Sequence, residues 1–186
     1  MGRQAGRSPE ETRLSVLDAA AHEFRAHGLQ ASLDRIAASA GVSKGGLKYH
    51  FASKDDLVLA LAQHLLEGFR ENVRARFDSA DSRPGALTRA YISARTSIDP
   101  AIALQHQDLV LITMLSTVPV VQDLALADSA QWDRDFADDG LPPHVFEVAV
   151  AAADGASCAA AWGSLTDDGA LDRLRGYLID LTLDAG

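Results

Sequence analysis

The first 60 residues carry signals that end and start helices, and these signals lie so close together that only short helices fit between them. The signals are the segments "HGLQAS" at 27–32, "AGVS" at 40–43 and "FAS" at 51–53. Glycine readily takes the left-handed conformation that follows the last turn of a helix, and serine accepts hydrogen bonds from the first turn of the next one. The spacing predicts consecutive helices over 9–27, 33–40, 44–50 and from Lys54 onward.

Apolar spacing supports the first of these helices. One helical face carries apolar residues at intervals of 3, 4 and 3 positions, namely Leu14, Leu17, Ala21 and Phe24. We expect Gly28 to end this helix in the left-handed conformation, so that Leu29 folds back onto it.

The rest of the chain is also predicted to be helical. Alanine and leucine are abundant, 47% of the residues are apolar and 23% are charged, and no strand pattern persists. Proline and polar segments divide the remainder into helices at about 84–98, 100–117, 119–139, 143–164 and 169–184. We therefore predict an all-α fold of about nine helices.

We predict that the chain has two domains. A three-helix head covers 1–53, and a helical body covers 54–186, which begins with a connecting helix over 54–78. The segment "SADSRPG", 79–85, is the clearest break, because it is small, polar and contains proline and glycine.

The net charge of -9 hides an asymmetry between these domains. Residues 1–54 hold 8 Lys and Arg against 5 Asp and Glu, whereas residues 55–186 hold 9 against 21. A mildly basic front on a strongly acidic rear suits an anion-binding head. Chance clustering of surface charge explains the asymmetry about equally well.

The two short helices joined by "AGVS" predict a helix-turn-helix, in which the second helix lies in the major groove of DNA. This second helix contains the stretch "SKGGLKYHF", 43–51. Glycine weakens a helix interior by roughly 1 kcal/mol relative to alanine. Gly45 and Gly46 are therefore explained best by a close approach of the backbone to DNA, with a frayed loop as the alternative.

Two lysines support an anionic partner. Lys44 and Lys54 both fall at the first position of a predicted helix, where the helix dipole disfavours a cation. A DNA phosphate would reverse this effect, because helix N-termini and lysines both bind phosphate. The alternative is that Asp55 and Asp56 offset Lys54 and that both lysines are solvated.

Residues 12–61, "TRLSVLDAAAHEFRAHGLQASLDRIAASAGVSKGGLKYHFASKDDLVLAL", resemble the DNA-binding domain of the TetR (tetracycline repressor) family. The resemblance rests on the apolar series that ends in "F..HG" and on "IA..AGVSKG.L..HF.SK..L". It implies a homodimeric, ligand-responsive transcriptional regulator, usually a repressor, that binds a palindromic operator. The DNA contacts that it implies are Ser32, Ser43, Lys44, Gly45, Gly46, Lys48, Tyr49, His50 and Lys54.

Some head positions leave alternatives open. The family usually has Tyr or Phe where this chain has Lys48, so the operator sequence and the choice between a base and a phosphate contact stay open. Asp34 is not a donor to DNA and is expected to favour the N-terminus of its own helix. Arg3 and Arg7 form either an arm that contacts DNA or a disordered tail.

The last two helices are the candidate homodimer interface, over about 143–164 and 169–184. The first of them is rich in Ala, Gly and Ser, which permit close helix approach, and the second carries Leu171, Leu174, Leu178 and Leu181. The alternative is that both helices only pack internally.

A pocket for an unknown small, mostly apolar effector is expected among helices five to eight. The candidate lining residues are aromatic or apolar groups and a few polar ones, each of which could instead be ordinary core: Tyr91, Gln107, Asp108, Leu111, Thr113, Met114, Trp132, Phe136 and Trp162. The resemblance alone implies that a bound effector shifts helix four, changes the separation of the two heads and so releases DNA.

The sequence contains no motif that indicates catalysis. The six histidines are scattered, there is one cysteine, and neither HExxH nor a phosphate-binding loop occurs. We expect no enzyme activity, cofactor, metal or membrane span, and a cytoplasmic location in bacteria, on the nucleoid when DNA is bound. The rival functions are a constitutive DNA binder with a sealed body, and a helical enzyme or carrier that only resembles a DNA-binding protein.

Overall fold

The computed structural model describes residues 7–97, 103–161 and 169–185, with side chains described over 7–97, 108–159 and 169–185. Nine α-helices lie in these ranges, and a 3₁₀ turn over Gly28–Gln30 follows the first. The α-helices are α1 Pro9–His27, α2 Leu33–Ala40, α3 Lys44–His50, α4 Lys54–Arg76, α5 Ala86–Arg95, α6 Ala103–Leu115, α7 Pro119–Ala137, α8 Pro143–Ala161 and α9 Ala170–Asp184.

The all-α prediction is confirmed, and no strand occurs in the described ranges. The bounds of α1, α2 and α3 coincide with the predicted ones, and α4 begins at Lys54 as expected. The predicted ends at 98, 100 and 164 lie outside the described residues.

Serine caps explain why the head helices begin where they do. The Ser8 and Ser53 hydroxyls each accept a hydrogen bond from the third residue of the helix, and the side chains of Glu11 and Asp56 accept one in return. Ser32 and Ser43 cap α2 and α3 in the same way, without the return bond. These local bonds satisfy N–H groups that would otherwise lack partners.

The expectation for Gly28 is wrong in one respect. Its φ of 61° is positive, but its ψ of -165° lies outside the left-handed helical region. Its N–H still donates to the Phe24 carbonyl, and the chain continues directly into the 3₁₀ turn. Gly41 does take the left-handed conformation, with φ 68° and ψ 30°, and it ends α2.

One apolar cluster holds the head together and extends into the body. Buried side chains come from α1 to α4 and also from α6 and α7, among them Leu17, Phe24, Ile36, Leu47, Leu57, Leu61, Leu111, Leu115 and Val121. The core thus crosses the predicted boundary between 53 and 54, and that division stays a prediction.

Two smaller clusters organise the body. Tyr91 and Phe136 centre an aromatic cluster formed by α4, α5, α7 and α8. Ile92, Ala149 and Leu178 centre a second cluster, where α8 and α9 pack against α5. Helices α4, α5, α7 and α8 therefore surround the aromatic cluster, and α9 packs against α5 and α8.

The segment 79–85 between α4 and α5 is held in place by contacts with α5 and with Asp139, which follows α7. Arg89 Nη2 lies 2.8 Å from Asp81 Oδ2, and the Gly85 N–H donates to the Asp139 carbonyl over 2.7 Å. The Asp139 carboxylate also accepts hydrogen bonds from the N–H groups of Leu87 and Thr88, at 2.9 and 2.7 Å. Helix α5 begins at Ala86 rather than at 84 because Gly85 takes φ 87°.

Gly85→Ala is expected to destabilise the protein. The positive φ costs a residue with a Cβ about 1–2 kcal/mol, and the added atom would lie 2.6 Å from Leu141 Cδ1. Gly68→Ala in α4 is the matched control. Its Cβ would meet nothing within 4 Å, so it should raise the free energy of unfolding by about 0.5–1 kcal/mol. Urea unfolding of both variants checks the prediction, and equal shifts in the same direction would contradict it.

Candidate DNA-binding surface and internal cavity

Helix α3 is fixed by one buried face and presents the other face to solvent. Leu47 is fully buried in the head core, which holds the short helix in place by packing. Ser43, Lys44, Gly45 and Lys48 are exposed. Tyr49 is 82% exposed, which is unusual for a large aromatic side chain.

The two glycines of α3 differ in how the fold constrains them. A Cβ at Gly45 would meet only the Ser43 Oγ, at 3.9 Å, so packing does not exclude alanine there. A Cβ at Gly46 would lie 3.3 Å from the same oxygen, which caps the helix. The packing around position 45 therefore does not require glycine there.

The lysines at the helix starts have partners within the protein. Lys44 Nζ lies 2.8 Å from Asp34 Oδ1 in an exposed ion pair. Lys54 Nζ donates to the Leu29 carbonyl over 2.5 Å and lies 5.8 Å from the centre of the Phe24 ring. Both side chains reach acceptors outside their own helices, so their position at a helix start does not by itself require an external anion. Their phosphate contacts stay predictions. Asp34 has a second role as well, since it pairs with Lys44.

The other predicted head residues have these positions. Ser32 is exposed and caps α2, and half-buried His50 packs edge-on against Tyr49 with ring centres 5.2 Å apart. Lys48 has no hydrogen bond or ion pair to any described residue. Arg7 donates to the Ser15 hydroxyl and to the Ala40 carbonyl, so its side chain lies against the head. Arg3 is outside the described residues.

Helices α4 to α8 line a cavity of about 400 Å³ that is partly open to solvent. It brings together five of the nine residues predicted for a pocket, namely Tyr91, Asp108, Thr113, Trp132 and Phe136. Leu111 and Met114 lie instead on the face of α6 that packs into the head core, because they are offset from the cavity-facing series 108, 112 and 116. The Gln107 side chain and Trp162 lie outside the described parts of the chain.

One wall of the cavity is aromatic. The Tyr91 ring centre lies 5.2 Å from that of Phe69, 5.1 Å from that of Trp132 and 5.2 Å from that of Phe136. Two guanidinium groups lie over these rings. Arg95 is 3.6 Å from the Phe69 centre, and Arg70 is 4.2 Å from the Trp132 centre. The wall therefore already accommodates cations on its faces.

The lining residues carry more negative than positive charge. Four aspartates line the cavity, Asp108, Asp128, Asp133 and Asp154, and Arg95 is the arginine among the lining residues.

Three of these aspartates are ion-paired. Arg95 Nε lies 2.8 Å from Asp154 Oδ1, and Arg70 Nε lies 2.7 Å from Asp128 Oδ1. Asp108 pairs with Arg25 of α1. Exposed Asp133, the fourth, has no ion pair within the described ranges.

Burial changes the acidity of two lining groups. It raises the pKa of Asp108 above its ordinary value, although the Arg25 guanidinium partly opposes the shift. It also raises the pKa of the Tyr91 hydroxyl, which donates to Asp154 over 2.8 Å. Desolvation disfavours the charged form in both cases.

Several lining residues were not predicted from the sequence, including Phe69, Arg95, Asp128 and Asp154. Helical spacing could have found two of them. Arg95 lies four residues after Tyr91, and Asp128 lies four before Trp132, so each shares a helical face with a predicted residue. Within the described ranges, no group of acidic, histidine or cysteine residues could hold a metal, and no helix is long and apolar enough to span a bilayer.

Comparisons with known proteins cover both halves of the chain. The family model described as "Bacterial regulatory proteins, tetR family" matches residues 16–61, and "Tetracyclin repressor-like, C-terminal domain" matches residues 85–183.

Two curated relatives are regulators. SrpR of Pseudomonas putida, an HTH-type transcriptional regulator, is 44% identical over 71 residues, which cover 36% of this chain and 33% of SrpR. KstR2 of Mycobacterium tuberculosis, an HTH-type transcriptional repressor, is 36% identical over 113 residues, 60% of this chain and 54% of KstR2. The matched segments thus span about a third to a half of these relatives.

Solved structures match nearly the whole chain. A transcriptional regulator from Rhodococcus sp. Rha1 has a TM-score of 0.75 at 20% identity and covers 96% of this chain and 97% of its own. The multidrug binding protein EbrR, complexed with malachite green, has a TM-score of 0.65 at 24% identity, with coverage of 91% and 97%. At these identities the likeness shows the fold.

The family models and the relatives describe transcriptional regulators, not enzymes. Two family models match in the expected order, and one of them alone covers more than half of the chain. The chain belongs to the TetR family of bacterial transcriptional regulators.

Proposed function

We propose that this protein is a ligand-responsive repressor that binds a palindromic operator as a homodimer and releases it when a small, mostly apolar effector enters the cavity. The observation that carries the proposal is that α6 packs into the core of the head on one side and lines the cavity on the other. It would act in the bacterial cytoplasm, on the nucleoid.

The surface of α3 supports DNA binding. Lys48 and Tyr49 are exposed, and neither is engaged by another helix among the described residues. Lys44 is held only by an exposed ion pair, and such pairs contribute about 0–1 kcal/mol, so a phosphate can replace Asp34. Lys54 would contact DNA only after leaving the Leu29 carbonyl, and its phosphate role is the least supported of the set.

The cavity supports an effector. A constitutive DNA binder would be expected to have a filled body, whereas this cavity of about 400 Å³ has an aromatic wall and a few polar groups, as small-molecule sites do. The fold neighbour EbrR was solved with malachite green, and the relative KstR2 is named a repressor. These names favour a repressor that a small molecule releases.

The outer faces of α8 and α9 support a homodimer. Val148 and Ala151 of α8 are exposed, and so is Tyr177 of α9. Gly155 and Gly176 on the same faces have open space where a Cβ would lie. Of the predicted leucines of α9, Leu171 and Leu178 are buried within the protein, so the proposed interface would rest mainly on the exposed residues. Two copies paired through small residues would place two heads on one side of DNA, about 34–36 Å apart.

Lys48→Ala is expected to weaken DNA binding by about tenfold, because the variant loses a cation that no other described residue engages. The measurement is fluorescence anisotropy with a duplex that the parental protein selects from a random library, at several salt concentrations. If Lys48 contacts a phosphate, the slope of log affinity against log salt concentration should become shallower by about 1. If it contacts a base, the sequence preference should change while this slope stays constant. Arg134→Ala, which removes an exposed cation of α7, is the control and should bind like the parent. Unchanged binding by the Lys48 variant would refute its role.

Gly45→Ala should shift stability and DNA affinity in opposite directions. The added Cβ fits the free protein, so the free energy of unfolding should rise by about 0.5–1 kcal/mol. The same atom would lie between α3 and the groove, so affinity for the selected duplex should fall. Thermal unfolding and anisotropy measure the two effects. A variant that is more stable and binds DNA normally would show that the backbone does not approach DNA at this position.

Gly155→Glu is expected to convert a dimer into a monomer without unfolding the chain. Glutamate is a better helix former than glycine, and its Cβ would have no described atom within 4 Å, but the glutamates of two paired copies would face each other across the two-fold axis. Light scattering after gel filtration gives the mass, and Gln122→Glu on exposed α7 controls for the added charge. A Gly155→Glu variant that stays dimeric would place the interface elsewhere.

A further inference from the structure

Helix α6 connects the cavity to the head through charge as well as through packing. Asp108 lines the cavity and is ion-paired with Arg25, which lies in the first helix of the head. Both side chains are about three-quarters buried. Within the described ranges, this is the ion pair that joins α1–α3 to the helices beyond α4.

The three paired aspartates of the cavity are not held equally. Asp128 is held by Arg70 of α4, which also donates to the Asp128 carbonyl, at 3.1 Å. Asp154 accepts from both Arg95 and the Tyr91 hydroxyl.

Asp108 has one such partner among the described residues, Arg25. The Nε of Arg25 is buried and lacks a hydrogen-bond partner, so this guanidinium is incompletely satisfied. Replacing Arg25 by another cation therefore breaks fewer hydrogen bonds than replacing the partners of Asp128 or Asp154 would.

The chemistry of the cavity favours a cation as the exchanging group. Carboxylates outnumber the lining arginine, and Asp133 is unpaired within the described ranges. The aromatic wall already carries the guanidinium groups of Arg70 and Arg95 on its faces. A flat aromatic cation can stack on such a wall and place its charge near a carboxylate.

We propose that the effector is a flat aromatic cation whose charge replaces Arg25 at Asp108, so that an occupied cavity separates α1 from α6. The consequence for DNA rests on the proposed function of the head. Because the ligand and Arg25 compete for one carboxylate, the ligand favours the state in which the pair is broken. If DNA binding requires the closed pair, ligand and DNA weaken each other by the same factor, typically 5–150-fold for such coupling.

The first experiment compares three fluorescent probes with one ring system and different charge, namely 10-methylacridinium, acridine and acridine-9-carboxylate. They are titrated into the full chain at mildly alkaline pH, where acridine is uncharged. The cation is expected to bind at least about tenfold more tightly than the other two. Equal affinity for all three, preference for the carboxylate, or no binding by the cation would overturn the proposal.

Variants of the pair test the exchange itself. Arg25→Gln frees Asp108 from its competitor and should raise the affinity for 10-methylacridinium, whereas Arg25→Lys keeps a competing cation and should stay near the parental value. Asp108→Asn should lower the affinity for the cation by about tenfold and leave that for acridine unchanged. Asp128→Asn removes a lining carboxylate whose partner belongs to the body, and should have the smaller effect. An Arg25→Gln affinity equal to or below the parental one would show that the pair is only structural.

DNA binding is then measured with and without the cation. Parental DNA affinity should fall on addition of the cation. Asp108→Asn lacks the pair from the start, so it should bind DNA more weakly than the parent without the cation and respond less to its addition. Failure to bind DNA without the probe would contradict the proposed function, while the probe titrations would still decide the exchange. DNA binding that is insensitive to a bound cation would contradict the inference alone.

Discussion

The packing of α6 between the head and the cavity is the constraint on which the rest of the structure depends. Leu111 and Leu115 fill the head core from this helix, while Ile112 also lines the cavity. Protein interiors are packed as densely as organic crystals, so the head core has no empty space to absorb a displacement of α6 away from the cavity. The same helix therefore stabilises the head and forms one wall of the cavity.

The sequence predicted best what neighbouring residues decide. The bounds of α1–α3 depend on Ser8, Ser32, Ser43 and Gly41, each of which acts on N–H or carbonyl groups within a few positions. Asp108 was among the predicted lining residues, but its pairing with Arg25 could not be predicted in this way, because the two residues are 83 positions apart. Only the packed tertiary structure brings them together.

The lysines show where a local rule fails. Lys44 and Lys54 do begin helices, as the sequence indicated, and the helix dipole disfavours a cation there. Their amines nevertheless reach Asp34 and the Leu29 carbonyl, which lie on other elements. A rule that considers only one helix cannot account for a lysine side chain that is long enough to reach an acceptor on another element.

The pair between Lys44 and Asp34 also bears on how a regulator finds its target. A genome offers an enormous excess of irrelevant duplex, and attraction to it comes almost entirely from unmasked positive charge. On the proposed DNA-binding surface Lys44 is paired with Asp34, and the chain as a whole carries a charge of -9. We therefore expect weak binding to random sequence, because the loss of this pair would be compensated only by a duplex of the right shape and bases.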